Sequence, residues 1–468
     1  MDIDNPEGIH VTVKERLFKG AGAQAFSQIA RIFIRLAEVP LLLNFWGPNL
    51  YGEWLMVAAI PMYLVMADVG FTGTASREMA MRVGADDRSG ALSVFQSTWL
   101  LVLVASVACV LMIGLAVTAI PLGSWLHLDA IQGNSLTWVV LILMAHVVVS
   151  FQTGLLYGGY CSEGRYGIGV SLLTTTQLLE FAGLALAVML GGGPVMAAGG
   201  FLAGRIVGFM LLRIVLVGIA PWLHFGWKSA DREQVLRLVR PALASMAFPI
   251  GNALNIQGMR LVVGIALGPV AVTVFTTLRT LSRVGFQLVQ SVSNMIEPEL
   301  GLAFGKGDMT LFRQIIRRSC QVAWWSALAA CLILLLAGEK LLGVWTRGQI
   351  SMNWLLYVWL LLATIINALW STMLMAAYAT NRHGWIALVY AFIYGAGALS
   401  LAYVGAHAAG LPGVGVAVVL AEVGMAAYVV PAALRLSGDT WVPWLRTVIL
   451  PPWFFLRRLR YGRVSGQR

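Results

Sequence analysis

The chain has 468 residues, of which 59% are hydrophobic and 11% charged, with a formal net charge of +11 at pH 7. Soluble domains carry about 25% charged residues, so a soluble globular protein is excluded. Apolar runs of ~20 residues recur, each long enough to cross a hydrocarbon core of about 30 Å, and the short alternating segments of a β-barrel are absent. The fold class is therefore an all-α polytopic membrane protein.

The first 19 residues are polar and mixed in charge, which predicts a cytoplasmic tail and no cleaved signal peptide. About twelve spans follow. In the first half they are Gln24 to Phe45, Glu53 to Gly70, Phe95 to Ile120, Leu136 to Tyr157, Ile168 to Leu190 and Met196 to Ile219. The second half supplies Pro241 to Leu267, Ala271 to Met295, Cys320 to Leu342, Met352 to Tyr378, Trp385 to His407 and Val414 to Ala433. The expected organisation is a six-helix bundle over 20–219, a linker over 220–240, a second bundle over 241–434 and a basic tail over 435–468. The proline-broken PPWFFL (Pro451 to Leu456) is too short to span and is placed at the cytoplasmic surface. Cys109, Cys161, Cys320 and Cys331 lack metal-ligand spacing and read as small core residues.

Charge sets the orientation. Basic residues precede the first span (Lys14, Arg16, Lys19), follow the even-numbered ones (Arg77, Arg82, Arg165, Lys228, Arg313, Arg317, Arg382) and fill the tail. The opposite side has only Lys340 and Arg347. The positive-inside rule puts both termini in the cytoplasm. A nucleic-acid surface is not indicated, because the charges are spread over every loop on one side.

Topology does not explain the arginines inside spans. One at a helix centre costs roughly 2.5–3.5 kcal/mol on insertion scales, so it should face protein or water. In the first helix Gln24, Gln28, Arg31, Arg35 and Glu38 fall within an arc of about 80° at ~100° per residue. Ile29, Phe33, Ala37 and Leu41 occupy the opposite side. In the eighth, Arg279, Arg283, Gln287, Gln290, Asn294 and Glu297 share a similar arc of about 80°. Two polar stripes of net positive charge predict a hydrated cavity shared by both halves, with Arg260, Asn252 and Asn255 as neighbours. The competing reading is an internal salt-bridge network, such as Arg35 with Glu38.

An internal repeat is legible. Gly47 and Pro48 align with Gly268 and Pro269 and, without gaps, Glu78 with Glu299, Gly84 with Gly305 and Asp87 with Asp308. Further on, Arg165 aligns with Arg382, and Arg205 with Glu422. Six helices per half implies a pseudo-twofold axis along the membrane normal, with substrate held between the halves. No G-x-x-x-x-G-K-[ST] phosphate loop is present, which argues against ATP hydrolysis.

The stretch WGPNLYGEW from Trp46, the helix end ADVGF (Ala67 to Phe71) and the basic loop REMAMRVGADD from Arg77 resemble bacterial polysaccharide-transporter flippases. These are the O-antigen-type (Wzx-like) members of the MATE-like multidrug/oligosaccharidyl-lipid/polysaccharide exporter superfamily. The resemblance implies a V-shaped pair of six-helix bundles and alternating access in the bacterial inner membrane. It implies an undecaprenyl-pyrophosphate-linked oligosaccharide as cargo, moved from the cytoplasmic to the periplasmic leaflet. Candidate substrate contacts are then Arg31, Arg35, Arg260, Arg279, Arg283, Gln28, Asn252, Asn255 and Asn294, with arginine forks suited to pyrophosphate. Glu38, Glu180, Glu297 and Glu422 are candidates for H⁺ or Na⁺ coupling. No other cofactor is expected and no enzymatic activity. Expected partners are the lipid-linked glycan, membrane lipids, and a polysaccharide polymerase and glycosyltransferases. Asp68 matches the family's DxG-like helix end and is assigned a structural role; His146 reads as a satisfied core histidine. The alternatives are an ion-coupled multidrug exporter, which would favour an acidic cavity, and a peptidoglycan lipid II flippase.

Overall fold

The computed structural model describes residues 13–67, 69–119, 122–236, 247–380, 382 and 384–451. Asp68 and the tail from 452 lie outside the described residues, as do the side chains of Asn294 and Glu297. Among the described residues, nine helices are long and apolar enough to cross a membrane. The expected spans Gln24 to Phe45, Glu53 to Gly70 and Ala271 to Met295 are not among the nine. Ionised stripes lower the apolar character of the first and the last. The chain is a multi-pass membrane protein.

It divides into two compact units. The first unit holds residues up to Trp46 and from Ile60 to Pro249. Its elements are α1 (Val13–Ala67), α2 (Val69–Gly84), α3 (Arg88–Ala119), a single turn α4 (Leu122–Trp125), α5 (Gly133–Ser162), α6 (Tyr166–Met189) and α7 (Pro194–Ile219). Its core gathers Met79, Phe95, Leu156, Tyr160, Leu212 and Leu216. Tyr160 sits fully buried and satisfies its hydroxyl by donating to the Leu212 carbonyl at 2.6 Å. α6 and α7 approach through glycine: a Cβ on Gly183 would lie 2.1 Å from the Gly200 carbonyl oxygen. Small residues at such crossings let backbones meet, which is how helices associate where lipid removes the hydrophobic incentive.

The second unit holds Gly47–Ala59 and the chain from Ile250. Its elements are α8 (Ala247–Ala253), a π-helical turn (Leu254–Gly258), α9 (Met259–Leu267), α10 (Pro269–Gly305), α11 (Met309–Trp345) and α12 (Trp354–Ala379). They continue with α13 (Gly384–Phe392), a second π turn (Ile393–Gly397), α14 (Ala398–Ala409), α15 (Leu411–Ser437) and α16 (Trp441–Ile449). The two interrupted helices cross at their bulges. A Cβ on Gly251 would lie 2.5 Å from the Tyr390 ring, and one on Gly395 would lie 2.8 Å from Leu254.

The segment Gly47–Ala59 is a departure from the expected boundaries at 219 and 241. It packs with the second unit, and the reasons are local. Gly52 leaves no room for a side chain against the Pro269 backbone, with a Cβ there only 1.9 Å from the Pro269 oxygen. Met56 is fully buried and fills the space beside Gly264. Thr273 donates to the Pro48 carbonyl at 2.7 Å.

The repeat is visible in the backbone. Gly47 has φ 72 and ψ 175, and its counterpart Gly268 has φ 84 and ψ 174. Positive φ favours glycine, and the proline after each restarts a helix. α2 ends at Gly84 and α10 at Gly305, and an aspartate caps each following helix. Asp87 accepts from the Gly90 N–H at 2.8 Å, and Asp308 from the Leu311 N–H at 2.9 Å.

Candidate functional site: two sets of buried charge

In the first unit the α1 stripe lies on a flank of its helix. The buried face is Ala23, Ser27 and Ala30, stepping by helical spacing, while Ile29 and Phe33 are exposed. Between them run Gln24 and Arg35, exposed, and Gln28, Arg31 and Glu38, half-buried. The helix thus has three faces rather than the two read from periodicity. The third arises because Ala and Ser are small enough to pack yet carry little hydropathy. Arg31 Nη1 donates to Ser27 Oγ at 2.5 Å, one turn back. Gln24 donates to the Tyr166 hydroxyl at the start of α6.

The same unit buries a second group. His146 on α5, Glu180 on α6 and Arg205 on α7 meet. The imidazole Nε2 lies 2.6 Å from Glu180 Oε1, and the Arg205 guanidinium pairs with that same oxygen. His146 stacks on Phe201 with ring centroids 4.3 Å apart. The expectation of a satisfied core histidine is met at Nε2 only. Its Nδ1 is buried without a hydrogen-bond partner among the described residues. Arg205 and Glu422, aligned by the repeat, each have partners within their own unit.

In the second unit the π turn Leu254–Gly258 carries Asn255. A π turn widens the hydrogen-bond ladder and recurs at functional sites. Arg279 on α10 exploits it. Its Nη1 donates to the Asn255 main-chain oxygen at 2.9 Å and its Nη2 to Asn255 Oδ1 at 2.6 Å. Phe275 lies under the same guanidinium, 5.5 Å from ring centroid to Cζ. Arg283, one turn on, sits 5.1 Å over the Phe286 ring. Arg260 Nη1 donates to Gln257 Oε1 at 3.0 Å. Arg260 and Arg283 both repel Arg279, and the Glu422 carboxylate on α15 attracts it.

Glu422 is buried and receives three donors: Asn367 at 3.0 Å, Trp370 at 2.7 Å and the Tyr394 hydroxyl at 2.7 Å. Tyr390 extends the set, its ring centroid 4.6 Å from that of Tyr394 and 6.1 Å from that of Trp370. The structure thus brings together Arg260, Arg279, Arg283, Asn255 and Glu422, with Asn252 half-buried on α8. Sequence reasoning missed Asn367, Trp370, Tyr390 and Tyr394. Their signal was spacing: Asn367 with Trp370, and Tyr390 with Tyr394, are i,i+3 and i,i+4 pairs that share a helix face.

The fold is that of MATE-like transporters. An inward-facing multidrug resistance transporter of the MATE family and MOP superfamily superposes with TM-score 0.75 at 16% identity, over 90% of this chain and 98% of its own. An outward-facing MATE-family multidrug resistance transporter gives 0.65 at 16% identity, over 91% and 96%. A MOP-superfamily transporter from Pyrococcus furiosus, described by the reversed polarity of its binding pocket, gives 0.62 at 16% identity, over 94% and 100%. No protein-family model matches the chain, nor does any curated protein.

Proposed function

We propose that the protein is an alternating-access transporter for an anionic amphiphile, an undecaprenyl-pyrophosphate-linked oligosaccharide moved from the cytoplasmic to the periplasmic leaflet. One observation carries the reading. Arg283 and Arg260 both act on Arg279 as like charges, and Glu422 acts on it as an opposite one. Three guanidinium groups gathered in this way suit a pyrophosphate, whose oxygens accept bidentate forks.

The geometry supports that use. A guanidinium has five N–H donors, and Asn255 takes two of those on Arg279. The others stay aimed by that grip. Arg31 and Arg35 supply cations in the first unit, and Asn252 and Tyr394 offer hydrogen-bonding groups for sugars. A multidrug exporter of cations would want acidic side chains in these places. The basic asymmetry of the loops supports both termini in the cytoplasm of an inner membrane. Coupling to H⁺ or Na⁺ fits the buried Glu180 and Glu422.

The test is transport of a defined lipid-linked oligosaccharide in proteoliposomes, with and without an ion gradient. Wild-type protein should move the lipid, Arg279→Ala and Arg31→Ala should each slow it at least tenfold, and lysine at either place should keep part of the rate. Export of a cationic dye with no movement of the glycolipid would replace this reading by the drug-exporter one.

A further inference from the structure

We propose that α16 is a re-entrant helix: it dips into one leaflet of the membrane beside α11, and its outer apolar side touches lipid acyl chains. This surface is separate from the charges described above and does not depend on the transport reading.

The helix has a docked side, an apolar side and a polar side. Trp444 and Val448 are buried, 3% and 1% exposed. Beside them Trp441, Val442, Leu445 and Ile449 share an arc of about 100° and are 51, 76, 46 and 53% exposed. Arg446 is exposed beyond that arc, and Pro443 and Thr447 are half-buried. Clustered exposed apolar side chains mark a protein or a membrane contact. The depth at which α16 sits against α11 selects the membrane.

The contacts climb α11. Where α16 starts, Arg317 pairs with Asp439 through two guanidinium nitrogens, and Arg313 Nη1 donates to the Gly438 carbonyl at 3.2 Å, a clamp at the basic end of α11. Where α16 ends, Trp325 Nε1 donates to the Val448 carbonyl at 3.2 Å, and Gln321 donates to the Leu450 carbonyl. From Arg313 to Gln321, and from Arg317 to Trp325, is eight residues, a rise of about 12 Å. α16 itself has nine residues and measures about 13 Å. It therefore runs alongside α11 instead of across it, from the arginines to the first turns of the apolar run. Val322, Ile333 and Leu336 are the exposed line of that span, and Trp325 lies about 60° around the helix from Val322. α16 is thus held next to the side of α11 that faces outward.

The end of α16 is built for a place without water. A helix leaves its last carbonyls unpaired, and on a wet surface solvent takes them. At membrane depth the protein itself must supply the donors. Here two side chains of a membrane span do so, Trp325 and the buried Gln321. Trp441, at the arginine end and edge to face with Trp444 at 5.9 Å, is placed where tryptophan concentrates, at the membrane–water boundary. A docking site for a soluble partner would need neither the graded depth nor the capped end.

The experiment puts a trifluoromethyl-phenylalanine in place of Val442 or Ile449 in the full-length protein, in nanodiscs of phosphatidylcholine. The two positions share a side of α16, and Ile449 lies about 10 Å further along it. The fluorine signals are read with a gadolinium chelate in the water, or with a nitroxide on the lipid headgroup or on the acyl chain. The Ile449 position should be broadened by the acyl-chain nitroxide and spared by the chelate. The Val442 position should respond most to the headgroup nitroxide. Gln321→Ala should raise hydrogen exchange in the last turn of α16 and open the Ile449 position to the chelate. Gln314→Ala, at an exposed glutamine of α11, should do neither. Broadening of both positions by the chelate would put the arc in water, and no response to lipid or chelate would put it against protein; either result overturns the proposal. Equal response of both positions to the headgroup nitroxide would mean that the helix lies flat, which overturns it too.

Discussion

Arg279 grips Asn255 by two atoms at once, the main-chain oxygen exposed by a π turn and the amide oxygen of the side chain. The pair links a broken helix to the helix that also carries Arg283. Hydrogen bonds to charged groups contribute roughly 1.5–3 kcal/mol. Asn255→Ala keeps the main-chain contact and removes the other. It should slow glycolipid transport in proteoliposomes by about tenfold or more while leaving the unfolding temperature within a few degrees. A variant transporting at the wild-type rate would show that the guanidinium needs no such orientation.

The Glu180–Arg205 pair, with His146 on the same carboxylate oxygen, should behave as a unit. Removing one partner of a buried pair costs about 3–5 kcal/mol because the other is left uncompensated. Glu180→Gln and Arg205→Met should each destabilise strongly, and the double variant should recover much of that loss. A thermal-unfolding double-mutant cycle reads the coupling directly. Additive losses would mean the two groups do not share a charge balance.

At the α6–α7 crossing, Gly183 and Gly200 place each other's carbonyl oxygens 2.1 and 2.2 Å from where a Cβ would stand. Overpacking of this kind costs about 1–3 kcal/mol. Gly183→Ala and Gly200→Ala should both lower the unfolding temperature. Gly199→Ala, with nothing within 4 Å of its Cβ position, should not.

Asp439 gives a pH prediction. Burial pushes its carboxyl up, but the hydrogen bond from Arg317, the Thr440 N–H and the Arg317 charge outweigh burial, leaving it below its ordinary 3.8. A carboxyl depressed in the folded state stabilises fully above its unfolded value. That stabilisation is lost as pH falls through the folded one. The clamp on α16 should therefore hold unchanged from neutral pH down to about 4 and weaken below it. Hydrogen exchange of α16 amides should rise in that range for the wild type. In Asp439→Asn it should be raised at every pH.

The fold was legible because its signals are long and redundant. Apolar runs marked the spans, and the Gly47–Gly268 and Asp87–Asp308 alignments marked a repeat that the backbone carries as paired turns and paired helix caps. The arginines stood out by their cost in lipid. What periodicity could not supply was the partner of each charge. Asn255 was named as a neighbour of Arg260, but its bond to Arg279 depends on a π turn, and a π turn changes register without changing composition. Tyr394 and Trp370 were hidden because aromatic residues in a membrane helix look like lipid contacts. The His146–Glu180–Arg205 group was visible only as three separate polar residues, since nothing in one sequence says that α5, α6 and α7 meet at one depth.

The segment Gly47–Ala59 has a practical consequence. It is encoded ahead of most of the first unit but occupies a slot lined by Gly264, Pro269 and Thr273. A single break in the linker cannot yield two self-sufficient pieces: the later fragment would lack a strip of its own interior, and the earlier one would carry that strip with nowhere to seat it. During synthesis the strip is made before the residues that line its slot.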